Sequence, residues 1–272
     1  MNIRVLACTI CTMIVLRGCA ARVDDSWTAS AAVADNTIEL QACDVLPLRA
    51  GTTRWRSVPM QADAEEILIH TRHEEGARWC VEEPQEQSMQ IIESPDGARA
   101  MLSVDAMSDN ARSIFHPPLA IAPAVLRAGE VFQSASHMLV RRLDDESERE
   151  RGETSRRCEI IGRCTLHTPT GDVQAVEVLM RFESRMRFAT ASVTAHRWVV
   201  PGVGAVAEQS ERVVRVLGVI STRTRRMMVR IGFEQVNRAG GDDKLKEPCA
   251  HPELRAGPNL ASLDHSILFQ VQ

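Results

Sequence analysis

Apolar and polar residues alternate along much of the second half of the chain. Every second residue from Val176 to Phe182 is apolar, and so is every second residue from Met227 to Phe233, with Arg226 and Arg230 on the opposite face. A period of two is typical of a β-sheet with one buried face. Residues 212–220 are rich in β-branched side chains and contain Gly218, which favours a strand there over a helix.

Turn residues separate shorter apolar segments in the first half. Gly76 and Pro95-Asp96-Gly97 each lie between two such segments. Strands joined by a tight turn pair antiparallel. The pattern therefore predicts an all-β fold over residues 38–236, an antiparallel meander that forms a curved sheet, a half-barrel or two packed sheets. Two sub-sheets, at about 38–115 and 116–236, remain open as an alternative.

The N-terminus has the layout of an export signal. Arg4 precedes an uncharged stretch at residues 5–16, and small residues follow it. That stretch is shorter than the about 20 apolar residues of a membrane span and fits a secretory signal peptide. We predict a signal peptide over residues 1–21, a linker over 22–37 and a loose tail over 237–272. The protein is then expected in the periplasm or cell envelope.

Cys19 is a candidate lipidation site. Leu16-Arg17-Gly18-Cys19 resembles the acylation box of bacterial lipoproteins, although the position of Arg17 normally holds a small residue. Two outcomes remain open. Either Cys19 is acylated and the lipid attaches the protein to the membrane, or the signal is simply cleaved after Ala21.

Export would change what is expected of the cysteines. The five that follow the signal are Cys43, Cys80, Cys158, Cys164 and Cys249. Disulfides are permitted in an oxidising envelope, and an odd number leaves at least one thiol unpaired or intermolecular. Their connectivity stays open. Cys158 and Cys164 would lie about 20 Å apart in one extended strand, at ~3.3 Å per residue.

Prolines and glycines in the second half predict two sharp features of the chain. Pro169 and Gly171 bracket a tight hairpin turn. Pro201, Gly202 and Gly204 let a strand bend sharply, since glycine in a strand commonly marks a bulge or a close backbone approach. Trp198 precedes this bend, and we expect it to cap the core there.

The order of these residues carries a resemblance to a known family. Over Gly162–Glu208 and Leu46–Trp55 the chain resembles an uncharacterised family of bacterial envelope β-proteins, the group loosely called TapB-like. It departs from the pattern at Asp172 and Val173, where that group more often has an aromatic residue nearby. The resemblance implies an exported, often lipid-anchored protein with a curved sheet or half-barrel. It implies no known reaction.

No motif in the sequence predicts a catalytic, cofactor or metal site. The chain lacks His-Glu-x-x-His, Gly-x-Ser-x-Gly and a phosphate-binding glycine loop. His70 and His73 are three apart, which places them on opposite faces of the predicted strand. We therefore predict no catalytic residue, no cofactor and no metal. The net charge of −4 gives no reason to expect nucleic acid as a partner.

Three functions are compatible with these observations. The first is a non-enzymatic envelope protein that binds an apolar ligand or a protein partner through its sheet. The second is a structural or assembly factor that lends a sheet edge to another envelope component. The remote third is a hydrolase with a dispersed active site. A deep apolar cavity would favour the first, and a long unpaired edge strand the second.

Overall fold

Antiparallel strands dominate the molecule, as the alternating pattern predicts. The computed structural model describes residues 27–57, 66–168, 171–217 and 220–235. The predicted signal at 1–21 with Cys19, the position of Pro169, and the predicted tail at 237–272 with Cys249 lie outside the described residues. The elements in chain order are β1 (Thr28–Ala29), β2 (Glu39–Gln41), α1 (Ala42–Val45), β3 (Gly51–Ser57), β4 (Glu66–His73), β5 (Arg78–Glu83), β6 (Gln87–Glu93), β7 (Arg99–Ala106), β8 (Ala111–Ala122), β9 (Val125–Arg127), β10 (Val131–Arg142), β11 (Glu148–Thr168), β12 (Gly171–Met186), β13 (Ala189–Val200), β14 (Gly204–Val216) and β15 (Ile220–Gln235).

The long strands form one closed, up-and-down barrel of twelve strands. Each wall strand pairs antiparallel with the next along the chain, and β15 returns to pair with β3 from Met228↔Ser57 to Gln235↔Gly51. The all-β, antiparallel prediction is confirmed. Closure goes further than a half-barrel or two packed sheets, since β3–β8 and β10–β15 belong to one continuous sheet.

Two prolines interrupt the wall between β8 and β10. Backbone pairing between these strands stops at His137↔His116, next to Pro117 and Pro118. Proline has no N–H to donate to a ladder. The hydroxyl of Ser136 instead donates to the carbonyl of Pro117 at 2.5 Å, and that of Ser134 donates to Ala120 at 2.6 Å. Serine side chains thus join the two strands where the backbone ladder ends.

One end of the barrel is filled by residues 38–48, which we call the plug. We call this end, where the turns at 74–77, 94–98 and 201–203 lie, the upper end. Within the plug, β2 pairs with β9 and α1 follows directly. Ile38, Leu40 and Val45 pack against the inner faces of β11, β12 and β13. Leu48 packs against the inner faces of β5–β8 and β10.

Polar contacts fix the plug to the upper turns. The buried guanidinium of Arg99 donates to the carbonyl of Ala42 at 3.1 Å and to Glu93 at 3.0 Å. Asp44 accepts from the N–H of Gly202 at 2.7 Å. A Cβ on Gly204, whose φ is +99°, would lie 2.6 Å from Pro47, so only glycine permits this approach.

Trp27–Val33, which we call the strap, lies on the outside of the barrel. β1 pairs with β11, and Val33 forms a bridge with Arg163. The ring of Trp27 is buried edge-on against Trp198, with 4.4 Å between centroids. The described part of the predicted 22–37 linker is therefore packed against the wall. A Cβ on Gly162 would lie 2.3 Å from the Val33 carbonyl oxygen, which explains the glycine there.

A charged contact holds the chain just after the strap. Arg163 donates to Asp35 at 2.8 Å, and the backbone and hydroxyl of Thr37 donate to the same carboxylate. Hydrogen bonds from Thr37 and Arg163 lower the pKa of Asp35 to about 2. The carboxylate therefore keeps its charge, and its contacts, at any pH above that value.

The prediction of which face of β15 is buried was wrong. Arg226 pairs with Ser210, and Met228 with Glu208, on the inner face of the barrel. Met227 and Val229 face outward and pack beside the cluster of Trp27 and Trp198. The inner face accommodates Arg226 because its guanidinium donates to Glu83 at 2.6 Å.

We predict that truncating the plug destabilises the whole barrel. Leu40 is fully buried, so Leu40→Ala should lower the free energy of unfolding by about 2–5 kcal/mol in urea denaturation. Leu68 is 39% exposed, and Leu68→Ala should change it by no more than about 0.5 kcal/mol. If both variants lowered the free energy of unfolding by the same small amount, the plug would not unfold together with the wall.

Candidate functional site

The lower half of the barrel interior is lined by apolar side chains that remain partly accessible to solvent. We call this space the lower lumen. The inner side chains of the upper half are mostly buried against the plug. Several nearer the turns at 84–86, 107–110 and 143–147 are half-buried, although Val140, Thr154 and Ser184 are buried there as well. The apolar members of its wall are Met89, Val104, Phe182, Met186, Val193 and Val214.

Strand alternation places these side chains on one surface. Phe182 lies opposite Val193, and Met89 lies opposite Val104, in neighbouring strands. Side chains of directly opposed residues point to the same face of a sheet. Phe182 also packs in one cluster with Val81 and Met138, which belong to other parts of the wall, so this face is the interior.

Polar residues surround the lower rim. Arg212, Thr222 and Thr224 are exposed and lie on the inner rows of β14 and β15. Arg226, higher on β15, forms its ion pair with Glu83 at the end of β5. On the β14, β15 and β5 side, these polar side chains border the apolar part of the lower lumen.

Arg156 lies at the roof of the lower lumen. It is opposite Phe182 on β12 and one inner position below the buried Cys158. Its Nε is fully buried, and part of the side chain remains accessible to solvent. Desolvation by this burial lowers the pKa of Arg156 to about 10, so the group is still a cation at neutral pH.

A second arginine in the same region is already neutralised. Arg197 donates to Glu208 through Nε at 2.8 Å, and a second, shorter contact runs from its Nη2. It also donates to the carbonyl of Val45 at 3.3 Å, which ties this ion pair to the plug. Arg156 differs, because among the described residues its one hydrogen bond goes to the thioether sulfur of Met180, at 3.1 Å.

The sequence-predicted site residues lie elsewhere. Gly202 and Gly204 contact the plug, Pro201 lies in the same turn, and Trp198 packs outside against Trp27. Gly171 begins β12 at the upper end. These are structural positions, and none lines the lower lumen. Trp198 borders the bulge after it, but it covers the outer face of the wall instead of an interior core.

Sequence reasoning missed Arg156. It belongs to residues 141–157, which contain six arginines and six acids among few apolar residues, a composition typical of a solvated hairpin extension. A signal was available, because Thr154, Arg156, Cys158 and Ile160 continue one alternating row into the core. The outward neighbour Arg157 is 44% exposed and pairs with Glu159, as the solvated interpretation requires.

The outer face carries a histidine–glutamate pair and a shallow groove. His196 contacts Glu177 there at 2.7 Å, whereas His167 contacts Asp172 at 2.7 Å at the upper tip of β11 and β12. The groove, of about 290 Å³, lies across β12, β13 and β14 beside Arg185, Ser192 and Val213. Within the described ranges, no three His, Cys, Asp or Glu side chains are grouped as metal ligands would be. No helix in the same ranges is long and apolar enough to span a membrane.

Comparison with known proteins gives little further information. No protein-family model matches the chain, and no curated protein sequence matches it. Among solved structures, it is similar to a protein of Parabacteroides distasonis ATCC 8503 described as a "putative lipoprotein". The alignment has 11% sequence identity and a TM-score of 0.35, and it covers 69% of this chain and 97% of that chain. A likeness at this level carries no argument about fold or function, and no finding supports the TapB-like assignment.

We predict that the wall cysteines are unreactive in the native protein. Cys80, Cys158 and Cys164 are free and buried, and burial raises the pKa of the Cys158 and Cys164 thiols. Alkylation with iodoacetamide, followed by peptide mass spectrometry, should modify all three only after denaturation. Val131→Cys, at a position 47% exposed on β10, is the positive control. Rapid native labelling of Cys158 would contradict the packing described above the lower lumen.

Proposed function

We propose that this protein is an exported, non-enzymatic binding protein that holds a small apolar ligand in its lower lumen. The observation that carries the proposal is the row of half-buried apolar side chains that includes Phe182, Met186 and Val214, beneath a plugged upper end. Apolar, concave sites with few polar groups are the usual form of small-ligand pockets. The export signal expected from residues 1–21 agrees with a role in the envelope.

The number of strands supports an internal site. Barrel diameter grows roughly in proportion to strand number, and about eight strands already enclose enough space for side chains or one small ligand. The twelve-stranded wall is wider. Its upper half is filled by the plug, while the described residues of the lower half contribute only wall side chains.

The geometry favours this function over the lending of a sheet edge. Every wall strand pairs with a neighbour on both sides over at least part of its length. Closure of a barrel removes the unpaired edges on which strand addition depends. The described wall therefore lacks the long free edge that an assembly factor of that kind would use.

Val214 offers a direct test, because its neighbour on the same strand points the other way. Val214 lies on the inner row and Val213 on the outer row of β14, and both are half-buried. Val214→Glu should weaken binding of the apolar fluorescent probe N-phenylnaphthylamine on the order of ten-fold or more, since a carboxylate in an apolar site is costly to desolvate. Probe fluorescence during titration gives the affinity.

Val213→Glu is the matched control and should change that affinity by less than about two-fold, because it faces water. Circular dichroism should show the same strand content for both variants and the parent chain. No probe binding by the parent chain, or equal loss in both variants, would refute an apolar site inside the barrel.

A further inference from the structure

The environment of Arg156 is that of a binding group without its partner. Its Nε is buried and has no acceptor among the described residues, and Nη2 reaches only the sulfur of Met180. A thioether is a weak acceptor, whereas a guanidinium carries five N–H donors. A buried charge is normally paired, because the loss of hydration must be offset by hydrogen bonds to an opposite charge.

Neighbouring groups do not offer Arg156 a free opposite charge. Glu208 is the acidic residue that stabilises the charge of Arg156, but its carboxylate is engaged by two nitrogens of Arg197. Arg197 itself acts in the opposite direction, since a second cation nearby disfavours the charge. The roof of the lower lumen therefore has an excess of positive charge.

Apolar and small polar side chains alternate below Arg156. Phe182 lies opposite Arg156, and Met186 lies four residues further along β12 toward the lower end. The buried Ser184 lies between them, opposite Thr154 of β11. Four residues of strand correspond to about 13 Å. An anion bound at Arg156 would thus have two apolar side chains beneath it, at a spacing that an extended alkyl chain can cover.

We infer that the ligand of the lower lumen is an amphipathic carboxylate of the fatty-acid type, with its head group on Arg156 and its alkyl chain along Phe182 and Met186. This inference rests on the proposed function and adds the chemical class of the ligand. Carboxylate and guanidinium match in bidentate geometry, and such charge-assisted hydrogen bonds are among the stronger ones in proteins. The exposed lower rim gives the head group its way in.

The test compares two probes that differ only in the head group. Dodecanoate and dodecanol are titrated into the full-length protein as competitors of N-phenylnaphthylamine. The parent chain should bind dodecanoate on the order of ten-fold or more tightly than dodecanol, because an interaction with a charged group exceeds that with a hydroxyl. Arg156→Gln should abolish this preference, because dodecanoate then loses its charged partner and binds no more tightly than dodecanol.

Arg157→Gln is the matched control, because Arg157 is adjacent in sequence but lies on the outer face. It should retain the full preference for dodecanoate. Arg156→Gln should also fold with undiminished stability in urea, since it removes a buried charge that lacks a protein acceptor. Arg156→Met, a second variant of similar length, should behave in the same way.

The possible outcomes distinguish failure of this inference from failure of the proposed function. Equal affinity of the parent chain for both probes would overturn the inference and leave an apolar site in place. Displacement by neither probe, together with no binding of N-phenylnaphthylamine, would remove the proposed function itself. A preference for dodecanoate that survives Arg156→Gln would place the anion on another residue and reject the role of Arg156.

Discussion

Closing twelve strands into one barrel sets the width of the interior, and the other features follow from filling that width. Side chains from a wall of this size do not meet across the whole lumen. Residues 38–48 supply the missing volume at the upper end, where Leu40 and Val45 are fully enclosed. Among the described residues, only wall side chains occupy the lower half. The width of the barrel thus explains why the upper end is filled by the plug and why side chains of the lower end remain accessible.

Two glycines permit close contacts between the start of the described chain and the second half of the barrel. Gly204 lets Pro47 of the plug approach the wall from inside, and Gly162 lets the backbone of Val33 lie against β11 on the outside. A side chain at either position would collide with that segment, so these glycines have a structural role.

Alternation and turn residues were sufficient to predict an antiparallel all-β fold and the hairpins at Gly76 and at Pro95-Asp96-Gly97, because both signals are local properties of the chain. It was not sufficient to predict closure, which depends on the distant ladder between β15 and β3. Alternation also failed to predict which face of β15 points into the barrel. The interior of this barrel contains arginines that form ion pairs with residues distant in sequence, as Arg226 does with Glu83. On the outside, the apolar Met227 packs beside Trp27 and Trp198. The candidate site was missed for the same reason, since Arg156 in sequence is one arginine among many.

The strap gives the molecule a direction. Thr28 lies opposite His167, near the upper tip of the longest strand, so the chain reaches the barrel from its plugged end. Whatever precedes Trp27 is joined to the closed face, and the accessible rim at Thr222 and Thr224 points away from that junction. If the preceding segment were held at a membrane surface, the barrel would stand with its opening toward the aqueous compartment. A ligand bound as we propose would then exchange with that compartment, since the described lower rim faces away from the bilayer.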